Sequence, residues 1–516
     1  MLKRFIAIIV CIFLIANLAA CQKVGTDVDS NPSSSSNKTS SSDKTSSSDK
    51  TSSSNGSSST VVPNNNKVQN EFDYANPALY TIDTLVSMGI EQPRTSDKTI
   101  DKKSAEMLKT IENRPDTLKP KSGGKYIYVA NDGKDVKGHG YDKNKPVATI
   151  AYANLLAKSG DVVVLKRGNF WRENVQGVEG VSYGAYGKGN KPTIYGSLKN
   201  YANEEWMIEE GNIYKVKKGP VGDIGLIVFD HGKAIGSKVN TKEELKKDYD
   251  FFVQGAYVYF YFTKGNPTKF YNDIEFCATQ HIVKIQSNST IQNWRIMYGG
   301  AHGVSMKSVK NVEFDGCVIG YIGGGYQSGT ANPYTRYGNG IEIWGSCDGY
   351  VIRNCHVYQC YDAGVTMQYI GNLTEENILF ENNLLEYSFY NIEYFCPGGA
   401  FKNVLIQNNI VRHGAYGWGF YSRPDKNRGT NVSGGYADVN ENFVFKNNIF
   451  DHSKRLLLKI DTAPNGYFPN FEGNTFAQKG QLRILQTDDK DYGMQKHGET
   501  VLTNIFKDTK GKLITY

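Results

Sequence analysis

The chain has 516 residues and a formal net charge of +7 at pH 7, and it contains 53 glycines and 34 tyrosines. This length predicts several domains or one long solenoid, and the glycine and tyrosine content favours a strand-and-turn protein over a helical one. The charge is modest for the length. It favours acidic partners such as wall polymers or uronate polysaccharides, and we expect no nucleic-acid partner.

Residues 1–20 have the pattern of an export signal. Lys3 and Arg4 precede the apolar run FIAIIVCIFLIANLAA, which is short for a membrane span and ends in small residues. The tetrapeptide that ends at Cys21 resembles a bacterial lipobox, which implies cleavage before Cys21 and lipidation of its thiol. We therefore expect a protein anchored by a lipid to the outer face of a bacterial cell membrane. A secreted protein whose leader contains a cysteine is the alternative.

Residues 21–69 repeat DKTSSS and contain almost no apolar side chains. Such a segment cannot bury enough surface to order itself. As a flexible coil of about 40 residues it would span on the order of 35 Å between its ends. We interpret it as a disordered tether that holds the following domain away from the membrane.

Residues 70–122 predict a helical preface. In DKKSAEMLKTIENRP the apolar residues Ala105, Leu108 and Ile111 recur at helical spacing, and Pro115 ends the run. Strand edges at the start of a β-domain need cover. We therefore expect this preface to pack near the N-terminal end of the domain that follows, over residues 123–516.

That domain opens with two predicted strands, YIYVA and DVVVLK, around a short amphipathic helix, TIAYANLLAK. With the later run YGAYGKGNKPTIYGS, this order resembles the opening of extracellular β-helix proteins of the pectin-lyase-like superfamily, which implies that the helix caps the first coil. From about residue 198 to 278 the pattern changes to aromatic strands such as AYVYFYF. Thr241 and Glu244 have the spacing of a capping box, and we interpret this segment as a structural excursion.

A short unit is repeated from His302 to Asp451. Its copies VEFDGCVI, YVIRNCHV, ILFENNLL, VLIQNNIV and FVFKNNIF each place a turn between two apolar strands, and the turn recurs every 26 to 39 residues. Parallel strands joined by such short turns must wind once per repeat, so we expect an all-β fold, a parallel β-helix, with a β-sandwich as the alternative. Alignment of the copies predicts a buried asparagine ladder in the column Trp294, Cys317, Cys355, Asn383, Asn409, Asn448 and Asn474.

The third strand of each repeat carries the candidate site. These strands are GVSMK, GIEIW, GVTMQ, NIEYF and GWGFY, and alternation sends every second side chain outward. One outward column is then Ser305, Glu342, Thr366, Glu393 and Gly419, and the column beside it is Lys307, Trp344, Gln368, Phe395 and Tyr421. Carboxylates beside aromatic rings are typical of a sugar-binding cleft; a face packed under a loop is the alternative.

Glu342 and Glu393 are the candidate catalytic pair. They lie two coils apart, so their backbones should be about 10 Å apart, and convergence of the side chains brings such a pair into the range of inverting glycosidases. Asp362, in the coil between them, is a third candidate acid or a turn residue. His302, at the same strand entrance, is a candidate proton carrier.

Two long polar loops flank this face, GGGYQSGTANPYTRYGN before Glu342 and RPDKNRGTNVSGGYADVNEN after Tyr421. Loops of this kind on a rigid solenoid form the walls of binding sites. We expect Arg336, Asn339 and Arg423 to contact a substrate, with the two arginines placed to meet an anionic sugar.

The segments RYGNGIEIWG, CYDAGVTMQ and EYSFYNIEYF resemble a group of secreted bacterial proteins of the same superfamily that are grouped with carbohydrate-active enzymes. The resemblance implies a right-handed parallel β-helix with polysaccharide as its partner, in a superfamily of hydrolases, lyases, epimerases and noncatalytic adhesins. We find neither the paired aspartates of its polygalacturonases nor the calcium cluster and partner arginine of its pectate lyases.

Glycoside hydrolysis by Glu342 and Glu393 is therefore the first hypothesis, in a monomer without a cofactor or metal. The second is β-elimination of a uronate polymer, in which Arg336 or Lys307 would neutralise the carboxylate and abstract the proton, with calcium as a candidate cofactor. Noncatalytic glycan binding is the third.

Six cysteines follow Cys21. Cys317 and Cys355 fall in one turn column of adjacent coils, which predicts stacked, buried thiols. No spacing among the six indicates a zinc site.

Overall fold

The computed structural model describes residues 97–435 and 437–516. The predictions for the export signal, the lipid anchor on Cys21, the tether and the start of the preface lie outside the described residues. Apart from residues 328–333, the described residues form one compact unit. Within that part of the chain no helix is long and apolar enough to cross a membrane.

Most of this unit winds into a solenoid with three faces of parallel strands. Face 1 contains β4 Val175–Gln176, β15 Val283–Lys284, the first half of β18 Val304–Asp315, the first half of β22 Ile341–Arg353, β24 Ala363–Gln368, β27 Tyr390–Phe395, β30 Thr430–Gly434, β33 Leu456–Ile460 and β36 Arg483–Thr487.

The second face follows directly, because β18 and β22 each run across the corner between the two faces. Face 2 contains β1 Tyr126–Val129, β2 Val162–Lys166, β5 Ser182–Tyr186, β16 Ser289–Gln292, the second halves of β18 and β22, β25 Thr374–Glu381, β28 Ala400–Gln407, β31 Val439–Lys446 and β34 Asn470–Glu472.

The third face closes each coil. Face 3 contains β3 Phe170–Trp171, β6 Thr193–Tyr195, β14 Ile274–Ala278, β17 Arg295–Gly299, β19 Val318–Ile322, β23 His356–Cys360, β26 Leu384–Glu386, β29 Ile410–Arg412, β32 Ile449–Asp451, β35 Thr475–Gln478 and β38 Lys512–Thr515.

The interior of the solenoid is filled by every second side chain of each strand. Because neighbouring coils are paired in register, equivalent apolar residues lie over one another and form continuous buried columns. On face 1 this column is Val304, Ile341, Val365, Ile392, Val432, Leu458 and Leu485. Full burial of one such side chain contributes about 1.5–3 kcal/mol, so the repeated column is the main source of the stability of this face.

The predicted asparagine ladder is confirmed. The side-chain amide of Asn383 donates to Asn409 at 2.9 Å, Asn409 donates to Asn448 at 3.0 Å, and Asn448 donates to Asn474 at 3.0 Å. Asn474 ends the series by donating its backbone N–H to the Asp508 carboxylate at 2.9 Å. The ladder thus satisfies buried polar groups at one corner of successive coils.

The cysteine prediction is also confirmed. All six cysteines within the described residues are buried and free. Cys355 donates its backbone N–H to the side chain of Asn383 at 2.9 Å, so it occupies the ladder column at the point where the asparagines begin.

Helix α1 Lys98–Glu112 covers the outside of face 3. It starts at a late coil, where Asp101 lies 2.7 Å from Arg412, and ends at an early coil, where Glu112 lies 2.8 Å from Arg295, so only its C-terminal end packs near the N-terminal end of the domain. Its apolar side chains Leu108 and Ile111 are buried in one cluster with side chains of face 3. The helix lies there because face 3 exposes an apolar strip that needs cover and charged groups that complement the helix.

The ends of the solenoid are closed by other elements. Helix α2 Ile150–Leu156 places Ile150 and Ala153 in the solenoid core beside the first strands, as the superfamily resemblance implies. At the other end, β37 Lys490–Gly493 forms a hairpin with β36, and α4 Met494–Thr500 continues into a π-helical turn, Val501–Ile505. Val501 and Phe506 are buried in the same core.

The excursion contains a second, five-stranded sheet. Its strands are β7 Met207–Glu210, β8 Ile213–Lys217, β11 Ser237–Lys238, β12 Asp250–Gln254 and β13 Tyr257–Tyr261, while β9 Ile224–Phe229 and β10 Ala234–Ile235 extend face 3. The capping box is not formed: Thr241 makes no side-chain cap to the single 3-10 turn Lys242–Glu244. The Glu244 carboxylate accepts from the Asn240 N–H at 2.8 Å, whereas a capping box would need it to accept from the Thr241 N–H.

Candidate active site

The strand register of face 1 brings the two candidate glutamates into one outward column. Ser305 pairs with Glu342, Thr366 pairs with Glu393, and Glu393 pairs with Ser433 of the next coil. Glu342 and Glu393 are therefore separated by one intervening strand, and two steps between parallel strands put their backbones about 10 Å apart.

Glu342 is held in a fixed, buried position. Its side chain is 5% exposed, and one carboxyl oxygen accepts from the Thr366 hydroxyl at 2.8 Å and from the Asn339 side-chain amide. Burial raises the pKa of Glu342 to about 7, and nearby Asp362 raises it further while these two donors lower it. Glu342 consequently changes its charge near neutral pH.

Asn339 is oriented from both sides. Its side-chain oxygen accepts from the Ala363 N–H at 2.8 Å, so its NH2 group must point to Glu342. Its backbone N–H donates to the Nδ1 atom of His302 at 3.0 Å. Asn339 therefore lies in the site as predicted, as a donor to the carboxyl of Glu342.

His302 is a neutral acceptor in this site. Its ring stacks on His281 with centroids 5.0 Å apart, and burial and the neighbouring His281 hold its pKa well below the usual value. An imidazole of this kind keeps the same charge near neutral pH, so the expected proton carrier is replaced by a group that positions Asn339.

Glu393 has a pKa raised well above its usual value. Burial is the main cause and Asp362 adds to it, whereas Arg423 lowers the pKa by a smaller amount. The Gln368 amide donates to the carboxyl at 2.6 Å. The side chain is nevertheless half-buried rather than enclosed, so a ligand can reach the carboxyl of Glu393.

Asp362 and Arg423 form an ion pair beside the glutamates. The Arg423 guanidinium lies 2.8 Å from Asp362 and 2.9 Å from Asp425, and it covers the ring of Phe389 at 4.0 Å. Asp362 thereby adds fixed negative charge between the two glutamates, and Arg423 is committed to two carboxylates rather than open to a substrate anion.

Aromatic side chains lie in the neighbouring outward column. Lys307, Trp344, Gln368 and Phe395 occupy equivalent positions of successive coils, as predicted. The Trp344 ring lies 6.4 Å from Phe395 and 5.8 Å from Tyr369. These half-buried rings meet edge to face, and with the exposed Lys307 they form an aromatic surface beside the carboxyl column.

The prediction that GWGFY forms the fifth strand of this face is wrong. Residues Trp418–Ser422 form a short helix, α3, and the strand that pairs with β27 is β30. The Trp418 backbone N–H and indole N–H both donate to Gln359, at 2.9 and 2.8 Å, which fixes this segment beside face 3. Gly419 and Tyr421 are therefore outside the two columns, and the Tyr421 hydroxyl accepts from Lys454 at 2.8 Å.

Arg336 donates three hydrogen bonds to the backbone. Its guanidinium donates to the carbonyls of Gly324, Gly225 and Ser422 at 2.6, 3.0 and 3.2 Å, and it covers the ring of Tyr361 at 4.6 Å. The expected contact with an anionic sugar is not supported, because these bonds hold the two walls of the site together.

Several residues of the site escaped the sequence analysis. His281 occupies the position of His302 one coil earlier, and the similarity of HIVK to HGVS was the available signal. Tyr369 immediately follows the Gln368 strand, and Ser433 was missed because GWGFY took its place in the alignment. Among the described residues no group of three or more His, Cys, Asp and Glu is arranged to hold a metal ion.

A family model supports the fold. The family described as "Right handed beta helix region" matches residues 263–514, and with the three parallel faces this identifies a right-handed parallel β-helix. No curated protein sequence matches the chain.

Three similar solved structures have 10–12% identity to this chain. XylC in complex with xylose has a TM-score of 0.47 at 12% identity, over 70% of this chain and 68% of its own. Pectate lyase Pel9A has a TM-score of 0.42 at 11% identity, over 73% of this chain and 74% of its own. An alginate lyase from Paenibacillus sp. str. FPU-7 has a TM-score of 0.31 at 10% identity, over 76% of this chain and 98% of its own.

Proposed function

We propose that this protein is a polysaccharide-acting glycoside hydrolase with Glu393 as the general acid and Glu342 as the general base. The observation that carries the proposal is the outward column of face 1, where two carboxyls with raised pKa values lie two coils apart on a rigid sheet. Aromatic rings lie beside them in the next column. Perturbed carboxyls next to an apolar, ring-lined surface are the combination that sugar hydrolysis needs.

The two pKa values separate the roles. The pKa of Glu393 is raised well above its usual value, mainly by burial, which favours the protonated form that a general acid needs to protonate a leaving oxygen. Glu342 loses its proton as the pH rises through about 7, and it can then accept a proton from water.

The spacing favours a single displacement. Inverting glycosidases place their carboxyls about 6.5–9.5 Å apart so that water fits between the base and the sugar. Water would attack the anomeric carbon while the glycosidic C–O bond breaks; Glu342 takes one proton from that water, and Glu393 gives its proton to the departing oxygen. The product then has the opposite anomeric configuration.

The surrounding residues support these roles. The charge of Asp362 raises the pKa of both glutamates, so we assign it an electrostatic role in place of a direct catalytic one. Trp344 and Phe395 supply aromatic surface that a sugar ring can pack against, because the negative face of an aromatic ring attracts C–H groups. Lys307, at the exposed edge of this surface, is the cation available to a uronate carboxylate.

The location belongs to the same proposal. The leader and the sequence that ends at Cys21 support a protein anchored by lipid to the outer face of a bacterial cell membrane, an anchor that Cys21→Ser would abolish. There the tether would let the β-helix reach extracellular or wall polysaccharide.

The test is a product assay with the full chain on a panel of neutral and uronate polysaccharides. Reducing ends and ultraviolet absorbance are followed together, since β-elimination creates an absorbing double bond and hydrolysis does not. We expect reducing ends without absorbance. Glu393→Gln and Glu342→Gln should each lower kcat about 10²- to 10⁴-fold.

Glu376→Gln on face 2 is the matched control, because it makes the same change on a half-exposed outward position of the adjacent face. Unchanged turnover in either active-site variant would contradict the assignment. Absorbing products would indicate a lyase, and binding without product would indicate a noncatalytic glycan-binding protein.

A further inference from the structure

The five-stranded sheet of the excursion buries only one of its two sides in the apolar cluster of this segment. The strand order is β11, β12, β13, β8 and β7. Inward side chains such as Tyr214, Phe251, Val258 and Phe260 are buried in a cluster of this segment. The outward side chains of the same strands are not part of that cluster, so they are available for another purpose.

Aromatic rings dominate the outward side. Tyr257, Tyr259 and Tyr261 alternate along β13 and are partly exposed, and Phe252 of β12 is the cross-strand partner of Tyr259. The Tyr259 ring centroid lies 6.3 Å from Phe252 and 6.4 Å from Tyr257. Alternate residues of a strand are about 7 Å apart, so three tyrosines cover a row of about 14 Å.

Charged side chains lie among the rings on this side. Lys215 and Lys242 lie over the rings of Tyr257 and Tyr259 at 5.3 and 5.2 Å. Glu209 lies 2.6 Å from Lys215 and 2.8 Å from Lys242, and the exposed Lys217 lies opposite Tyr257. The outward side therefore combines aromatic rings with charged groups that can bond to the hydroxyls of a sugar.

The sheet is joined to the wall of the candidate active site. Asp223, which precedes β9, lies 2.6 Å from Lys238 of β11 and accepts from the Tyr326 N–H at 2.8 Å. Tyr326 pairs with Arg336 in the hairpin of β20 Gly325–Tyr326 and β21 Arg336–Tyr337, which leads into the Glu342 strand. The sheet and the strand that carries Glu342 are therefore linked through this hairpin.

We propose that the outward side of this sheet binds polysaccharide without catalysis and holds a second stretch of the polymer that face 1 cleaves. A sugar ring has a flat side of C–H groups that stacks on an aromatic ring, and its hydroxyls bond to tyrosine hydroxyls and charged side chains at the rim. A row of tyrosines with lysine and glutamate side chains among the rings fits an extended sugar chain. The identity of the polymer rests on the proposed function; the binding does not.

The test measures binding of the full chain to insoluble xylan, cellulose and pectin by depletion from solution. Glu393→Gln is the parent, so that the polymers stay intact, and Tyr257→Ala with Tyr259→Ala is added to it. Tyr141→Ala, which removes a tyrosine that is 49% exposed and lies outside the excursion, is the matched control. We expect at least tenfold weaker binding for the double tyrosine change, and parent-like binding for the control.

In the active protein, the double tyrosine change should leave the hydrolysis of short soluble fragments unchanged, because these do not reach the sheet. Equal binding by parent and double variant, or no binding by the parent to any of the three polymers, would overturn the proposal. Self-association that the tyrosine changes abolish in sedimentation velocity would also overturn it, since the surface would then be a contact between copies. Binding without any product from the active protein contradicts the hydrolase and leaves this inference standing.

Discussion

Faces 1 and 3 both bury charged side chains on the outside of the solenoid, but only face 3 neutralises them. On face 3, Arg412 lies 2.9 Å from Asp451 of the next strand and 2.7 Å from Asp101 of α1. On face 1, neither Glu342 nor Glu393 has an ion-pair partner among the residues that the structure describes, and both pKa values are raised.

This difference separates structure from chemistry. A buried charge with partners costs little once the pair is formed, and it fixes the helix that covers it. A buried carboxyl without a cation remains costly when ionised, and such groups cluster at functional sites. The outward charges of face 3 therefore hold α1 in place, whereas the outward carboxyls of face 1 remain available for chemistry.

Replacement of Arg412 by Met should have the largest effect on stability. It leaves Asp451, which is 2% exposed, without its cation, and removal of one partner of a buried pair costs about 3–5 kcal/mol. We expect the midpoint of urea unfolding to fall accordingly, while the folded variant retains its activity on face 1.

The matched control for Arg412 is Lys402→Met on face 2. Lys402 lies 3.6 Å from Glu441 in a solvent-exposed pair, and such pairs contribute about 1 kcal/mol or less. An equal loss of stability in the two variants would remove the distinction drawn for face 3.

Glu342→Gln should stabilise the protein while it removes activity. The folded protein raises the pKa of Glu342 from 4.5 to about 7, so between these values the folded state binds a proton that the unfolded state has lost. The free energy of unfolding of the native protein therefore falls with rising pH across this window.

We expect the Gln variant to be more stable by about 1–3 kcal/mol above pH 7, with the difference vanishing towards pH 4.5. Urea unfolding at several pH values measures it. If the difference in the free energy of unfolding did not change with pH, the folded protein would not raise the pKa of Glu342, and this prediction would be wrong.

Trp344→Ala should have the smallest effect. Loss of one ring from a binding surface removes about 0.5–1.5 kcal/mol of contact, which corresponds to an increase in KM of up to about tenfold. Steady-state kinetics should show kcat nearly unchanged. Leu379→Ala, an outward apolar position on face 2, should change neither constant, and a similar rise in KM there would indicate a general loss of packing.

The repeats were predictable because a parallel solenoid in register copies a sequence alignment into space. Asn383, Asn409, Asn448 and Asn474 aligned in sequence and are bonded in series. The column of Glu342 and Glu393 followed for the same reason, since each pairs with the residue that the alignment gave.

The misplaced elements depend on contacts that no repeat encodes. GWGFY has the spacing of a face 1 strand, but Trp418 is held by both the side chain and the carbonyl of Gln359. The position of α1 depends on Asp101 meeting Arg412, which is 311 residues away along the chain. The neutral state of His302 depends on stacking with His281, which amino-acid type alone does not indicate.

The asparagine ladder also has a direction. Each amide gives its NH2 hydrogen to the oxygen of the next coil, and the series stops at Asp508, whose ionised carboxylate can only accept. A further coil placed after Asp508 would find no donor hydrogen to continue the series. The Asp508 carboxylate thus ends the ladder. A coil duplicated before Asp508 would extend the same ladder, whereas a coil duplicated after it would begin a separate one.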